Sequence, residues 1–125
     1  PKLTQAGAAI GSAHYMSPEQ VQATEDLDPR SDLYSLGVVF YELVTGRRPF
    51  VGESQFDIML AHVESVPVPP SHWNPRLGDE LESLILKALA KKRDERFQSA
   101  AEFREALMAV RLGSGPDPAA DLEGA

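Results

Sequence analysis

The sequence predicts an all-α fold, and three observations carry that expectation. Apolar residues recur at helical spacing in four separate stretches. Capping signals built on serine or aspartate stand just ahead of most of them. No stretch reads as a convincing strand. The expected helices lie at about 18–23, 30–45, 54–64, 79–91 and 99–111.

Each element follows from its residues. The first 16 positions are small and polar, with Gly7 and Gly11 among them, and read as a loop. Ser17-Pro18-Glu19-Gln20 then starts a short helix. Ser17 can cap it, Pro18 suits the first helical position, and Gln20 can reach back to close a capping box. Asp28-Pro29 opens the strongest element in the same manner, and Gly46 is a natural stop. Leu33, Leu36, Gly37, Val39, Phe40, Leu43 and Val44 spread over more than one face of it. A helix of that kind is expected to be buried as the spine of the fold. Ser54 and Asp57 make a weaker box ahead of Phe56, Met59, Leu60 and Val63. Pro67, Pro69, Pro70 and Pro75 argue against regular helix over 65–78, which reads as a stiff connection with Trp73 packed against its neighbours. Leu81, Leu84, Ile85, Ala88 and Leu89 form the next stripe. Ser99 and Glu102 make a further capping box ahead of Phe103, Leu107 and Val110. From Gly113 onward the chain has nothing to bury. The expected organisation is one domain over 1–112 and a linker or tail over 113–125.

Composition narrows the function. Twelve Lys and Arg stand against nineteen Asp and Glu, a formal net charge of −7 over 125 residues. That balance argues against a nucleic-acid or anionic-membrane surface, since both need a positive field. With no cysteine, disulfides, thiolate metal sites and thiol nucleophiles are excluded. No stretch approaches the roughly 20 apolar residues of a membrane span. The start, Pro-Lys-Leu-Thr-Gln, does not have the form of a signal peptide. His14, His62 and His72 share no ligand-like spacing and read as packing or surface residues. The expectation is a soluble, cytoplasmic segment.

The stretch Gly11-Ser12-Ala13-His14-Tyr15-Met16-Ser17-Pro18-Glu19 resembles the end of the activation segment of protein kinases, with Ser12 where a threonine is usual. Arg30-Ser31-Asp32-Leu33-Tyr34-Ser35-Leu36-Gly37 resembles the central helix of the same family. Gly46-Arg47-Arg48-Pro49-Phe50 is similar to the turn that follows it, and Lys87-Ala88-Leu89-Ala90 with Arg96-Phe97 to the closing helices. The four signatures occur in family order over residues 1–112, in the style of bacterial serine/threonine kinases of the eukaryotic-like type. The Gly-rich loop, the Val-Ala-Ile-Lys strand, the His-Arg-Asp loop and Asp-Phe-Gly do not occur in the sequence. In the family those parts hold the nucleotide, the magnesium and the catalytic base.

The resemblance therefore implies the helical C-terminal lobe of a kinase, whose partners are a missing N-terminal half and protein substrates. It implies no catalytic residue, cofactor or metal ligand in these residues themselves, with ATP and Mg expected in the parent enzyme. The parent would be a transferase, and this segment alone inactive. It further implies a buried ion pair between Glu19 and Arg96, and an Asp32 that accepts hydrogen bonds from the catalytic loop. Gly37 is a structural position of the central helix. Ser12 would stand beside the substrate hydroxyl, Tyr15 and Met16 beside the residue following the phosphoacceptor, and Thr4 in the loop where this bacterial group autophosphorylates. Ala6 occupies the place of a frequent second threonine. The competing expectation is a non-catalytic helical binding module or pseudokinase remnant using the same helices.

Overall fold

The structure, a computed structural model, describes residues 10–110, with side chains described from Ala13 onward. Six α-helices and two 3-10 turns make up the described residues, and none of these residues is in a strand. The 3-10 turn Ile10–Tyr15 leads into α1, Pro18–Val21. Ser17 and Gln20 close the capping box: Gln20 N–H donates to Ser17 Oγ at 3.2 Å, and Ser17 N–H donates to Gln20 Oε1 at 2.8 Å. The helix is shorter than expected because Ala23 adopts φ 55°, a left-handed turn that carries the chain away from the axis.

Helix α2, Pro29–Thr45, is the spine. Asp28 Oδ1 accepts the Arg30 N–H at 2.8 Å, and Gly46 ends the helix at φ 73°, where an L side chain would be strained. The expectation of burial all round needs correction. Leu33, Tyr34, Val38 and Tyr41 face the core, whereas Leu36, Val39 and Leu43 are exposed, because the described elements pack against one side of α2 only.

Helix α3, Gln55–Glu64, starts on Ser54, whose Oγ accepts the Asp57 N–H at 3.1 Å. Within the proline-rich stretch a four-residue helix forms after all, α4 at Pro70–Trp73. Proline bars a helix interior, not the first helical position, and Pro70 occupies the latter. Helix α5, Asp79–Ala88, and α6, Ala100–Ala109, complete the set, with the short 3-10 turn Arg93–Glu95 between them. Ser99 caps α6 by accepting the Glu102 N–H at 3.0 Å, half of the expected box. The Glu102 carboxylate stands 3.8 Å from Lys87 instead.

The core gathers Leu33, Tyr34, Val38 and Tyr41 of α2 around Leu84, Ile85 and Ala88 of α5, with Phe50, Leu89, Phe97 and Phe103 filling in. Phe97 meets Phe103 edge-on at 5.0 Å between ring centroids, a preferred aromatic geometry. Helices α2 and α5 come closest at Gly37. A Cβ there would lie 2.8 Å from the Ala88 Cβ.

Candidate functional site

The ledge formed by Ala13–Glu19 is held on α2 and the loop ahead of α6. Tyr15 is fixed at both ends. Its hydroxyl donates to Glu42 Oε1 at 2.8 Å, and its carbonyl accepts from the Ser35 hydroxyl. Ser31 and Ser35 are four residues apart on α2, so they share the helix face turned to this ledge. Met16 is half-buried and its N–H donates to the Ala13 carbonyl at 3.4 Å. Ser12 lies in the 3-10 turn, but its side chain is outside the described residues, as is Thr4 altogether.

Below the ledge Glu19 and Arg96 meet. Arg96 Nη1 stands 2.6 Å from Glu19 Oε2 and Nη2 2.8 Å from Oε1, a two-bond fork between residues 5% and 1% exposed. Ser31 Oγ donates to the same Oε2 at 2.7 Å. The remaining guanidinium hydrogens are also placed. Nε donates to the Ala90 carbonyl at 2.7 Å, Nη2 to that of Lys91 at 3.0 Å and Nη1 to that of Arg30 at 3.2 Å. An arginine has five N–H donors, and all five are used here. Burial by itself would raise the Glu19 carboxyl, but the bonds from Arg96 and then Ser31 outweigh it and hold the group below the ordinary carboxylate range. The pair is charged and internally satisfied.

A second charged cluster lies outside the first. Arg30 binds Asp28 at 2.8 Å and Asp94 at 2.8 Å, and Arg93 binds Asp28 at 3.2 Å and Asp26 at 3.3 Å. The Arg30 side chain and backbone bonds bring the Asp28 carboxyl down to about 2. These ions fasten the loop before α2 to the turn before α6.

Asp32 sits on the first turn of α2, exposed, and makes no hydrogen bond or ion pair with a described residue. The structure thus brings Tyr15, Met16, Glu19 and Arg96 to one side of the molecule, with Gly37 at the helix crossing behind them. Sequence reading gives no site role to Ser31, Ser35 and Glu42, or to Tyr34, whose ring centroid lies 4.9 Å from the Arg96 guanidinium carbon. The i, i+4 spacing of the two serines is the one signal that could have found those two.

Among the described residues no three His, Asp or Glu side chains gather as ion ligands. No described helix is long and apolar enough to cross a membrane.

Comparison with known proteins bears on the same surfaces. The protein kinase domain family matches residues 2–108. The chain is 49% identical over 115 residues to serine/threonine-protein kinase PknB of Mycolicibacterium smegmatis, covering 92% of this chain and 18% of that relative. It is 45% identical over 115 residues, with the same coverage, to serine/threonine-protein kinase PknB of Mycobacterium tuberculosis. Identity to the probable serine/threonine-protein kinase SCO3848 of Streptomyces coelicolor is 48% over 102 residues, 82% of this chain and 15% of the relative. The chain therefore spans less than a fifth of the length of these curated relatives. The match runs through the ledge, the Glu19–Arg96 fork, the spine helix and the closing helices together: this chain belongs to the protein kinase family, and its helices are those of the family's helical C-terminal lobe.

Proposed function

We propose that the chain is the substrate-side half of an ATP-dependent serine/threonine kinase that phosphorylates proteins. The observation that carries this reading is the clamping of Tyr15 on α2 through both hydroxyl and carbonyl. A loop so held can present an acceptor side chain in one orientation, and phosphoryl transfer depends chiefly on positioning and charge stabilisation. In this reading residues 1–112 belong to the kinase domain and 113–125 to a linker or tail, on the cytoplasmic side of any membrane anchor. Ser12 stands beside the substrate hydroxyl, and Tyr15 with Met16 shapes the pocket for the next residue. Glu19, Arg96 and Gly37 are structural. Asp32, exposed here, takes its donors from the catalytic loop of the other half. ATP and Mg belong to that half too, so no step of nucleotide chemistry is assigned to the residues described above.

Two results test the reading. The 125 residues alone are expected to bind no Mg-ATP in titration calorimetry, whereas the full-length protein transfers radiolabelled phosphate to Ser or Thr of a protein substrate. Saturable micromolar binding by the short chain, or a full-length protein that transfers nothing, rejects it.

Thr4 is proposed as the regulatory phosphosite. A phosphate there would add about −1.5 to −2 charge and three acceptors for Arg or Lys of the other half. Phosphopeptide mass spectrometry of the active enzyme is expected to find it occupied, and Thr4→Ala to lower activity more than Ser12→Thr. An unmodified Thr4 together with full activity in Thr4→Ala removes the switch.

A further inference from the structure

Helix α3 buries one imidazole completely. His62 has no exposed surface, and its Nδ1 lies 2.7 Å from the Tyr34 hydroxyl, itself wholly buried. The ring stands edge-on to Tyr34, with centroids 5.6 Å apart, and to Phe50 at 5.0 Å. The main-chain carbonyl of His62 accepts from Lys91 Nζ at 2.7 Å, and that ammonium lies 4.0 Å from the Phe50 ring centroid. One helix residue thus touches the spine, the turn after it and the segment after α5.

The far nitrogen, Nε2, is buried without a hydrogen-bond partner among the described residues. Burial, and after it the Lys91 charge, push the imidazole down to about 4, so it is neutral at pH 7. Helix α3, which carries the ring, packs against the 3-10 turn Ile10–Tyr15 and against α1, and the backbone of Ala13 and His14 acts in the opposite sense, favouring the protonated ring. A neutral imidazole has one donor nitrogen and one acceptor. If Nδ1 accepts the Tyr34 proton, Nε2 carries the hydrogen. A leucine of similar volume would fill the space without needing two polar groups matched inside the core. A buried polar pair adds orientation to packing.

We propose that His62 is a positioning residue of the substrate loop: oriented by Tyr34, it braces α3 against the turn that contains Ala13 and His14 and so sets the shape of the pocket beside Tyr15 and Met16. The assignment rests on the kinase reading for its functional meaning, whereas the packing of α3 on the turn Ile10–Tyr15 is independent of catalysis.

Two variants of the full-length protein remove the bond from either side. His62→Leu deletes the imidazole, and Tyr34→Phe deletes one hydroxyl with little change of volume. Amide hydrogen exchange over residues 13–17 is expected to quicken about tenfold in both, with α5 and α6 unchanged. The Michaelis constant for a serine peptide is expected to rise about tenfold while that for ATP stays within about twofold. Discrimination between peptides differing at the residue after the serine should relax. His62→Asn, which restores an acceptor close to the Nδ1 position, is expected to recover part of the peptide affinity. Unchanged exchange over 13–17 in the folded Tyr34→Phe variant overturns the brace. So does a fall in turnover with an unchanged peptide constant, which reports only fewer folded molecules. If exchange quickens in both variants but the wild-type protein transfers no phosphate, the brace stands and the kinase reading fails.

Discussion

Glu19→Ala in the full-length protein is expected to lower the unfolding free energy by about 3–5 kcal/mol, and Arg96→Ala by at least as much. The cause is less the lost attraction than the charge left behind. Without Glu19, a guanidinium 1% exposed keeps three main-chain carbonyls and no counter-ion. Without Arg96, Glu19 retains Ser31 as its side-chain donor, and the carbonyls of Arg30, Ala90 and Lys91 lose a partner as well. Arg96→Lys is not a rescue, because an ammonium offers three donors and no planar fork. The double variant Glu19→Ala/Arg96→Ala removes both charges and should lose much less than the sum of the singles. Denaturant titration of the four proteins gives the cycle; additive losses would show that the two side chains do not act as a pair.

Gly37→Ala is the second large effect, and its sign runs against helix propensity. In an exposed helix interior the same change stabilises by about 0.5–1 kcal/mol. Here the new methyl would meet the Ala88 Cβ at 2.8 Å and the Leu89 Cδ2 at 3.3 Å, at the crossing of α2 and α5. The helices must part, and overpacking of this kind costs about 1–3 kcal/mol. Gly37→Val should cost more. Ala88→Gly, which removes the atom that is struck, is expected to recover much of the loss when combined with Gly37→Ala. A melting temperature raised by Gly37→Ala alone would mean that the crossing is looser than these distances require.

Helix starts were legible because caps are local chemistry. Ser17, Asp28, Ser54 and Ser99 each accept a main-chain N–H near the start of the helix they precede. Helix ends depended on more distant demands. Helix α1 stops at a left-handed alanine that no glycine announces. Helix α5 stops at Ala88, short of the expected 91, and the segment beyond it sends Lys91 to the carbonyls at the end of α3 and Arg96 to Glu19. The site divides in the same manner. Tyr15, Met16, Glu19 and Arg96 were named through family resemblance, since nothing in local spacing joins Glu19 to Arg96. Ser31 and Ser35 look like ordinary polar positions of a helix until the ledge is laid over them. His62 read as a packing or surface histidine, and only the fold reveals that its neighbour is the hydroxyl of Tyr34.

The five bonds of Arg96 also bear on the order of folding. They join positions near 19, 30, 90 and 96, so the guanidinium closes a loop of 77 positions between its ends. Closing so long a loop costs entropy before it returns any attraction. The fork is expected to form after α2 and α5 have packed, on the native side of the folding barrier. Its loss should therefore leave the folding limb of a chevron nearly unmoved and steepen the escape from the native state. Arg96 acts as a latch: it contributes little to finding the fold and much to the time the fold persists.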